Sequence, residues 1–150
     1  MSRIHEADER LIRFFRRISE PTARIALFVI FFWFGLLKLI GLSPADALVH
    51  SLFERTIHFI PFDTFYILFA LLECAIGIMF LIKGLERIVI PLLFLHMITT
   101  FLPLIVLPHL TWRAPFVPTL EGQYIIKNLV IIAAAIGIAA NLEPLNKKQF

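Results

Sequence analysis

Residues 64 to 82 read TFYILFALLECAIGIMFLI, a stretch of nineteen residues in which Glu73 is the single charged side chain. At about 1.5 Å per residue, a helix of this length matches the roughly 30 Å hydrocarbon core of a bilayer. A membrane interior offers the backbone no hydrogen-bond partners, so the segment must satisfy its own N–H and C=O groups. The stretch therefore predicts a transmembrane helix with an acid near its middle.

Three further apolar runs have the same character and cover residues 25–42, 88–107 and 124–142. The whole chain of 150 residues is 59% hydrophobic and 17% charged, with a mean hydropathy of +0.87. These values lie outside the range of ordinary soluble domains. They predict an all-α integral membrane protein in which residues 1–150 form a single membrane domain. Its core is a four-transmembrane-helix bundle, which leaves no room for a soluble catalytic domain.

The basic residues predict how this bundle is oriented, because cytoplasmic flanks of membrane spans are enriched in lysine and arginine. Only two basic residues, Arg55 and Arg113, fall in the first and third loops. The ten on the other side are Arg3, Arg10, Arg13, Arg16, Arg17, Arg24, Lys83, Arg87, Lys147 and Lys148. We therefore expect a multi-pass protein whose N- and C-termini are both cytoplasmic.

Two segments outside the spans have amphipathic patterns. Residues 1–23 contain SRIHEADERLIRFFRRISEP, with apolar residues at helical spacing and arginines on the remaining surface. This pattern is typical of an interfacial helix on anionic lipid, and we expect Pro21 to end it. Phenylalanines beside the arginines, and the span that follows, argue against nucleic-acid binding. Residues 44–58 predict a short helix on the outer surface, with Ser43 as its N-cap.

Polar residues recur along one face of that short outer helix. His50, Glu54 and His58 lie four residues apart, so they share a side of the helix. Such spacing suits a metal ion, with His109 of the third loop as a further ligand, but it equally suits a solvated polar face. We favour the polar face and predict no metal. Cys74 is the sole cysteine, which excludes an internal disulfide and a C-x-x-C redox pair.

Ionisable residues within the spans are the strongest candidates for a functional site, because charge at membrane depth is costly. Glu73 and His96 are too deep to reach water, whereas Lys38 and Lys127 lie near the outer ends of their helices and could extend to the interface. We predict an outward-open polar pocket with Glu73 as its deepest acid. Its predicted lining is Lys38, Glu73, His96, Thr99, Thr100, Gln123, Tyr124, Lys127 and Asn128. For Thr99, Thr100 and Asn128 taken singly, ordinary helix packing is the favoured interpretation.

Three stretches carry a resemblance to a known family: FFWFGLLKLIGLSP, LLECAIGIMFLIKG and EGQYIIKNLVIIAAA, at residues 31–44, 71–84 and 121–135. Together they resemble the DoxX family of four-helix bacterial membrane proteins, close to its YkgB/RclC-type branch. The family's G-x-x-K pattern is matched by Gly35 and Lys38, its E-x-x-x-G pattern by Glu73 and Gly77 with the loop glycine Gly84, and its last-helix step by Lys127, Asn128 and Leu129. The chain departs from that branch in its shorter first outer loop.

The resemblance implies a location in the bacterial inner membrane and a role beside redox proteins. The family includes subunits of a thiosulfate:quinone oxidoreductase and components of oxidative-stress complexes. By this analogy we expect an accessory subunit, rather than an enzyme on its own, whose pocket receives a quinone or another amphiphile. The sequence has no flavin, haem or iron–sulfur motif, so electrons would come from a membrane redox partner. The alternatives are a small solute or lipid transporter or channel acting as a homo-oligomer, and an interaction scaffold without catalysis.

Overall fold

The structure is a computed structural model that describes residues 3–57 and 59–144, with side chains from His5 onward. His58, Lys147 and Lys148, which entered the predictions above, lie outside the described residues. Within the described ranges the chain forms eight α-helices and one two-stranded antiparallel sheet. In chain order these are α1 Arg3–Leu39, α2 Asp46–Thr56, α3 Phe62–Leu81, α4 Glu86–Phe101, α5 Pro103–Val106, α6 Pro108–Thr111, β1 Trp112–Ala114, β2 Val117–Pro118, α7 Leu120–Lys127 and α8 Leu129–Ala139.

The described chain contains four helical segments that are long and apolar enough to cross a membrane: His5–Leu39, Phe62–Leu81, Glu86–Val106 and Leu120–Ala139. The prediction of four apolar helices is therefore confirmed, with boundaries that differ by a few residues except at the start of the first. Two of the segments are interrupted, the third between α4 and α5 and the fourth between α7 and α8. Both interruptions lie toward the same end of the molecule.

The long helices pack in a ring, with α1 chiefly against α3, α3 against α4, α4 against α8 and α8 against α1. Phe80, Ile76 and Leu93 fill the interior and are completely buried. Large apolar side chains such as Trp33 and Leu95 point outward and are more than 60% exposed. An apolar exterior around an apolar core is expected of a bundle surrounded by lipid. We call the end that carries α2 and the β1–β2 pair the hairpin end, and the opposite end the terminal end.

The helix α1 does not end at Pro21, so the prediction of a separate N-terminal helix bounded by that proline is wrong. The 37-residue helix is about 55 Å long, nearly twice a hydrocarbon core. A proline removes one backbone hydrogen bond from a helix interior. Across this defect the side chain of Glu20 accepts a 2.9 Å hydrogen bond from Arg24 Nε, an i, i+4 contact that supports the helix on both sides of the proline.

The close packing of α1 on α3 depends on two glycines. A Cβ at Gly35 would lie 2.7 Å from Cys74 Sγ and 2.8 Å from a backbone oxygen of α3, and a Cβ at Gly77 would lie 2.8 Å from the backbone nitrogen of Phe32. The two helices therefore touch through their backbones at two points. The expectation that Gly77 allows a neighbouring helix to approach is confirmed, and α1 is that neighbour.

The third loop is more ordered than the sequence suggested. Prolines at 103 and 108 interrupt the helical hydrogen bonding, and the completely buried Thr111 donates from Oγ1 to the carbonyl of Leu107 at 3.1 Å. The strands then pair with Trp112 opposite Pro118 and Ala114 opposite Val117. Phe116 occupies the turn with a φ of 61° and is 95% exposed. At the other loop, α2 begins at Asp46 rather than Pro44, and Ser43 Oγ accepts from the Ala45 N–H instead of capping the helix.

Candidate functional site

Three of the predicted pocket residues form one buried cluster, which we call the triad: Lys38, Glu73 and His96. Lys38 Nζ donates to Glu73 Oε2 at 2.6 Å, and His96 Nε2 lies 3.5 Å from Glu73 Oε1. The exposed fractions of the three side chains are 6%, 9% and 3%. Glu73 and His96 each lie roughly 15 Å along the axis of their helical segment, near its middle. The triad is therefore a charged cluster at the depth where the membrane is driest.

The helix ends and crossing points explain how a lysine from the last turn of α1 reaches this depth. Gly41, with a φ of 72°, ends α1 in a left-handed turn, and the Leu42 N–H bonds back to the Leu37 carbonyl. This cap fixes Lys38 one turn from the helix end. Gly35 lies on the same side of α1, one turn earlier, against α3. The lysine side chain is thus directed inward along α3 toward Glu73 and does not extend outward to the interface.

Aromatic rings enclose the histidine of the triad. The ring of Phe31 meets the imidazole edge-on at 5.6 Å, and the ring of Phe69 lies 5.0 Å from it on α3. Lys38 Nζ is also 5.7 Å from the centre of the Phe69 ring, within the range of a cation–π contact. Among the described residues His96 Nδ1 has no hydrogen-bond partner, although it is buried. This orientation answers a question left open by the sequence, because His96 faces Glu73.

Two further predicted pocket residues, Thr99 and Thr100, bond within their own helix. Their hydroxyls donate to the His96 carbonyl at 2.7 Å and 3.1 Å respectively. Such back-bonding satisfies the hydroxyl groups locally and is common for threonine in membrane helices. In this arrangement neither hydroxyl contacts the side chains of the triad. They hold the α4 turn that carries His96.

The remaining predicted pocket residues lie at the hairpin end and are separate from the triad. Gln123, Tyr124 and Lys127 are exposed, and Lys127 Nζ lies 5.3 Å from the Tyr124 ring. No hydrogen bond or ion pair joins them, or Asn128, to the triad within the described chain. Asn128 has a backbone role at the end of α7. Its N–H bonds to the Ile125 carbonyl, one residue short of the helical partner, and its Nδ2 donates instead to the Tyr124 carbonyl at 3.3 Å.

The histidines on and near α2 do not form a metal site with the described residues around them. His50 Nδ1 lies 3.7 Å from Glu54 Oε1, and its ring packs edge-on against Phe62 at 4.4 Å. No group of three or more histidine, cysteine, aspartate or glutamate side chains is placed to hold a metal among the residues that the structure describes. His109 lies on α6 and is exposed. Because His58 falls outside these residues, the three-ligand arrangement itself stays untested.

The sequence analysis missed a second buried ion pair, at the terminal end of the bundle. Arg24 of α1 is paired through one guanidinium nitrogen with Glu86, and another nitrogen donates to the Phe80 carbonyl at 3.2 Å. The second oxygen of Glu86 accepts from the Gly84 N–H at 2.7 Å. Arg24 had entered the analysis as one of the cytoplasmic charges. The available signal was a lone acid, Glu86, immediately before an apolar run, with no basic neighbour in sequence to explain its burial beyond Arg87.

The triad has the chemical parts of an acid–base centre. Lys38 and Glu73 form an ion pair, and the carboxylate also faces one nitrogen of a neutral imidazole, which favours the tautomer with its proton on Nε2. That tautomer leaves Nδ1 as a hydrogen-bond acceptor with no partner in the described chain. The arrangement can therefore accept a hydrogen bond, or a proton, from a group placed beside Nδ1.

Comparison of the chain with known protein families, with characterised proteins and with solved structures gives no match. The resemblance to the DoxX family accordingly stays a prediction based on the quoted residues. Inferences about function depend on the chemistry of the site.

Proposed function

We propose that this chain is an accessory subunit of a membrane redox or oxidative-stress system, and that its triad binds the head group of a quinone or a similar amphiphile. The observation that supports this proposal is His96 Nδ1, a buried polar atom without a partner in the described chain, beside a buried ion pair. A buried acceptor without a hydrogen bond costs about 1 to 3 kcal/mol. A ligand hydroxyl that donates to Nδ1 would recover much of that cost.

The surroundings of the imidazole suit a planar, weakly polar head group. Phe31 and Phe69 present rings on two sides of His96, and ligand sites are commonly lined by aromatic side chains with a few polar groups. In the proposed complex one of these rings turns aside to admit the ligand. The hydroxyl of a reduced quinone then donates to Nδ1, while Glu73 holds the opposite nitrogen in its protonated form. Lys38 keeps the carboxylate ionised at this depth.

The proton relay follows from the same contacts. A proton taken up at Nδ1 would make the imidazole cationic, and the carboxylate of Glu73 at 3.5 Å would stabilise that charge. Electron transfer is assigned to a partner protein, since the chain itself carries no motif for a redox cofactor. The subunit would thus hold the head group and exchange protons, as expected of an accessory subunit.

The test is the quinone content of the full chain purified in mild detergent from bacterial membranes, measured by mass spectrometry of the extracted lipids. We expect bound quinone in the wild type and a loss of about tenfold in His96→Phe, which removes the acceptor but keeps a ring of similar size. His109→Phe changes an exposed histidine of α6 and is the matched control, expected to retain the ligand.

Two outcomes would contradict the proposal. The wild type might carry no more quinone than an unrelated membrane protein prepared in the same way. Alternatively, His96→Phe and Glu73→Gln might lower the free energy of unfolding without changing the quinone content, which would identify the triad as packing within a scaffold. Lys127→Met tests the hairpin-end residues separately, because a pocket that extends to them would also lose quinone in this variant.

A second candidate function, proton-coupled transport by an oligomer, is favoured by the mid-membrane position of the triad. Clusters of acidic and histidine side chains within spans are typical of proton relays in transporters. Four helices enclose little space, so a path would need several copies of the chain. Proton flux into liposomes that falls in Glu73→Gln, with no quinone bound to the wild type, would favour transport over the first proposal.

A further inference from the structure

A basic groove lies at the terminal end of the bundle, on the opposite side of the membrane-spanning region from the α2 loop. Its volume is about 360 Å³. The residues that line it are Arg16, Arg17, Glu20, Pro21, Arg24, Lys83 and Asn141. They come from α1, from the turn between α3 and α4, and from the residues after α8. The groove is therefore assembled by the folded bundle and does not arise from one basic stretch of sequence.

The floor of this groove is neutralised, whereas its rim is not. The guanidinium of Arg24 is buried between Glu20 and Glu86, so its charge is balanced within the protein. Arg16, Arg17 and Lys83 are exposed and make no ion pair with any described residue. Three cations thus surround a groove whose lining acid, Glu20, is already engaged. The unbalanced charge favours an anionic ligand.

The position of the groove along the helices indicates which anion. The apolar surface begins directly beside it, with Ile25 of α1 and Ile82 after α3 exposed at 56% and 47%. Arg16 and Arg17 lie on the other side of Pro21, away from this apolar surface. The groove therefore lies where the hydrocarbon of a bilayer would meet its phosphate layer. Basic pockets between membrane helices on the cytoplasmic side are typical sites for anionic lipid head groups.

We propose that this groove binds the phosphate of an anionic phospholipid, with Arg16, Arg17 and Lys83 as the phosphate ligands. Arginine presents a planar fork of N–H donors that matches two phosphate oxygens, and lysine adds a compact charge. The Arg24–Glu86 pair positions α1 against the turn that carries Lys83 and does not itself bind the lipid. Acyl chains of the bound lipid would lie along the exposed apolar side chains beside Pro21. This site is separate from the triad and independent of its ligand.

The test is lipid binding to the full chain in mild detergent, followed by native mass spectrometry with phosphatidylglycerol and, in parallel, phosphatidylcholine. The groove variant combines Arg16→Gln, Arg17→Gln and Lys83→Gln. We expect it to bind phosphatidylglycerol about tenfold or more weakly than the wild type, with little change for phosphatidylcholine. The matched control, Arg10→Gln with Arg13→Gln and Arg55→Gln, loses the same charge outside the groove and should bind phosphatidylglycerol like the wild type.

Further arms separate the remaining explanations. The charge-preserving variant with lysine at 16 and 17 should retain most of the binding, which distinguishes a lost ligand contact from misfolding. Inorganic phosphate should not displace the lipid at millimolar concentration; if phosphate alone binds tightly, the ligand is a free anion and the lipid assignment is wrong. Equal losses in the groove and control variants would show that only net charge matters, and would overturn the site. The quinone content should be the same in all of these variants.

Discussion

At the level of single residues, the triad contains two charges whose escape routes differ. Lys38 is in the last turn of α1, so its long side chain can reach the hairpin end if its partner is removed. Glu73 is in the middle of α3 and has no such route. An isolated carboxylate at that depth must instead become protonated, at a free-energy cost. The two members of one ion pair are thus expected to respond differently to removal of the other.

Removal of the lysine should therefore cost more than removal of the acid. We expect Lys38→Met to lower the free energy of unfolding by about 3 to 5 kcal/mol, the typical cost of a buried charge left unpaired. Glu73→Gln should cost about 1 to 3 kcal/mol, since the freed lysine can reach the interface. Unfolding in detergent, titrated with sodium dodecyl sulfate, gives both values.

The double variant Lys38→Met with Glu73→Gln completes a thermodynamic cycle. Because the second change removes the unpaired charge created by the first, its stability should be close to that of Glu73→Gln alone. Simple addition of the two single costs would contradict a direct pairing of these residues.

A second residue-level prediction concerns the asparagine that ends α7. The side chain of Asn128 bonds the Tyr124 carbonyl, which the backbone leaves without its usual helical donor. Replacement by alanine should lower the free energy of unfolding by about 1 kcal/mol. Asn141→Ala is the matched control, because Asn141 makes the same i, i−4 contact to Gly137 at the terminal end, where water can replace it. Equal costs for the two variants would contradict a special role for Asn128.

At the level of helices, the α1–α3 contact is the element that places the triad. Gly35 lies one turn before Lys38, and Gly77 lies one turn after Glu73, so the two backbone contact points flank the ion pair. A wider spacing of the helices would lengthen the Lys38–Glu73 contact. Packing and electrostatics are therefore coupled at this crossing.

Alanine at either crossing glycine should destabilise the bundle. At both positions the new Cβ would lie within 3 Å of backbone atoms, which cannot move aside as a flexible side chain can. We expect Gly35→Ala and Gly77→Ala each to cost about 1 to 3 kcal/mol of unfolding free energy. Gly137→Ala is the control: no described atom lies within 4 Å of its Cβ position, and alanine is the better helix former. A loss at Gly137 as large as at Gly77 would contradict the close-contact explanation.

The helices could be predicted from sequence, and the contacts between them mostly could not. Long apolar runs have one favourable state in a membrane, so the four spans followed from composition alone. The choice of Glu73 as the deepest acid followed from its distance to either helix end. Its partner did not, because Lys38 had two physically reasonable positions, inward and at the interface. The pairing of Arg24 with Glu86 joins residues 62 apart and leaves no periodic signal.

Local backbone details were the other gap. The break between α7 and α8 depends on one shortened hydrogen bond at Asn128, and α1 continues through Pro21 because a neighbouring ion pair bridges the defect. Apolar periodicity is insensitive to both. The β1–β2 pair in the third loop was missed because its strands contain only three and two residues.

At the level of the whole molecule, the two polar sites lie at different depths, the triad near mid-membrane and the basic groove at the terminal end. An even number of spans returns the chain to its starting side, so the groove lies near both ends of the described chain. The excess of basic residues at that end predicts that it faces the cytoplasm. The lipid proposal depends on this orientation, because the cytoplasmic leaflet carries the anionic surface potential that would supply its ligand.

Site-directed labelling tests this orientation directly. In a Cys74→Ala background, a cysteine at Phe116 lies in the exposed turn of the hairpin end, and a cysteine at Ser19 lies on the exposed part of α1 beyond Pro21. We expect a membrane-impermeant thiol reagent to label the first variant in intact cells and the second only after permeabilisation. The parent without cysteine controls for background. Labelling of the Ser19→Cys variant in intact cells would reverse the orientation: the basic groove would then face outward, and the triad would lie nearer the side opposite to the predicted pocket opening.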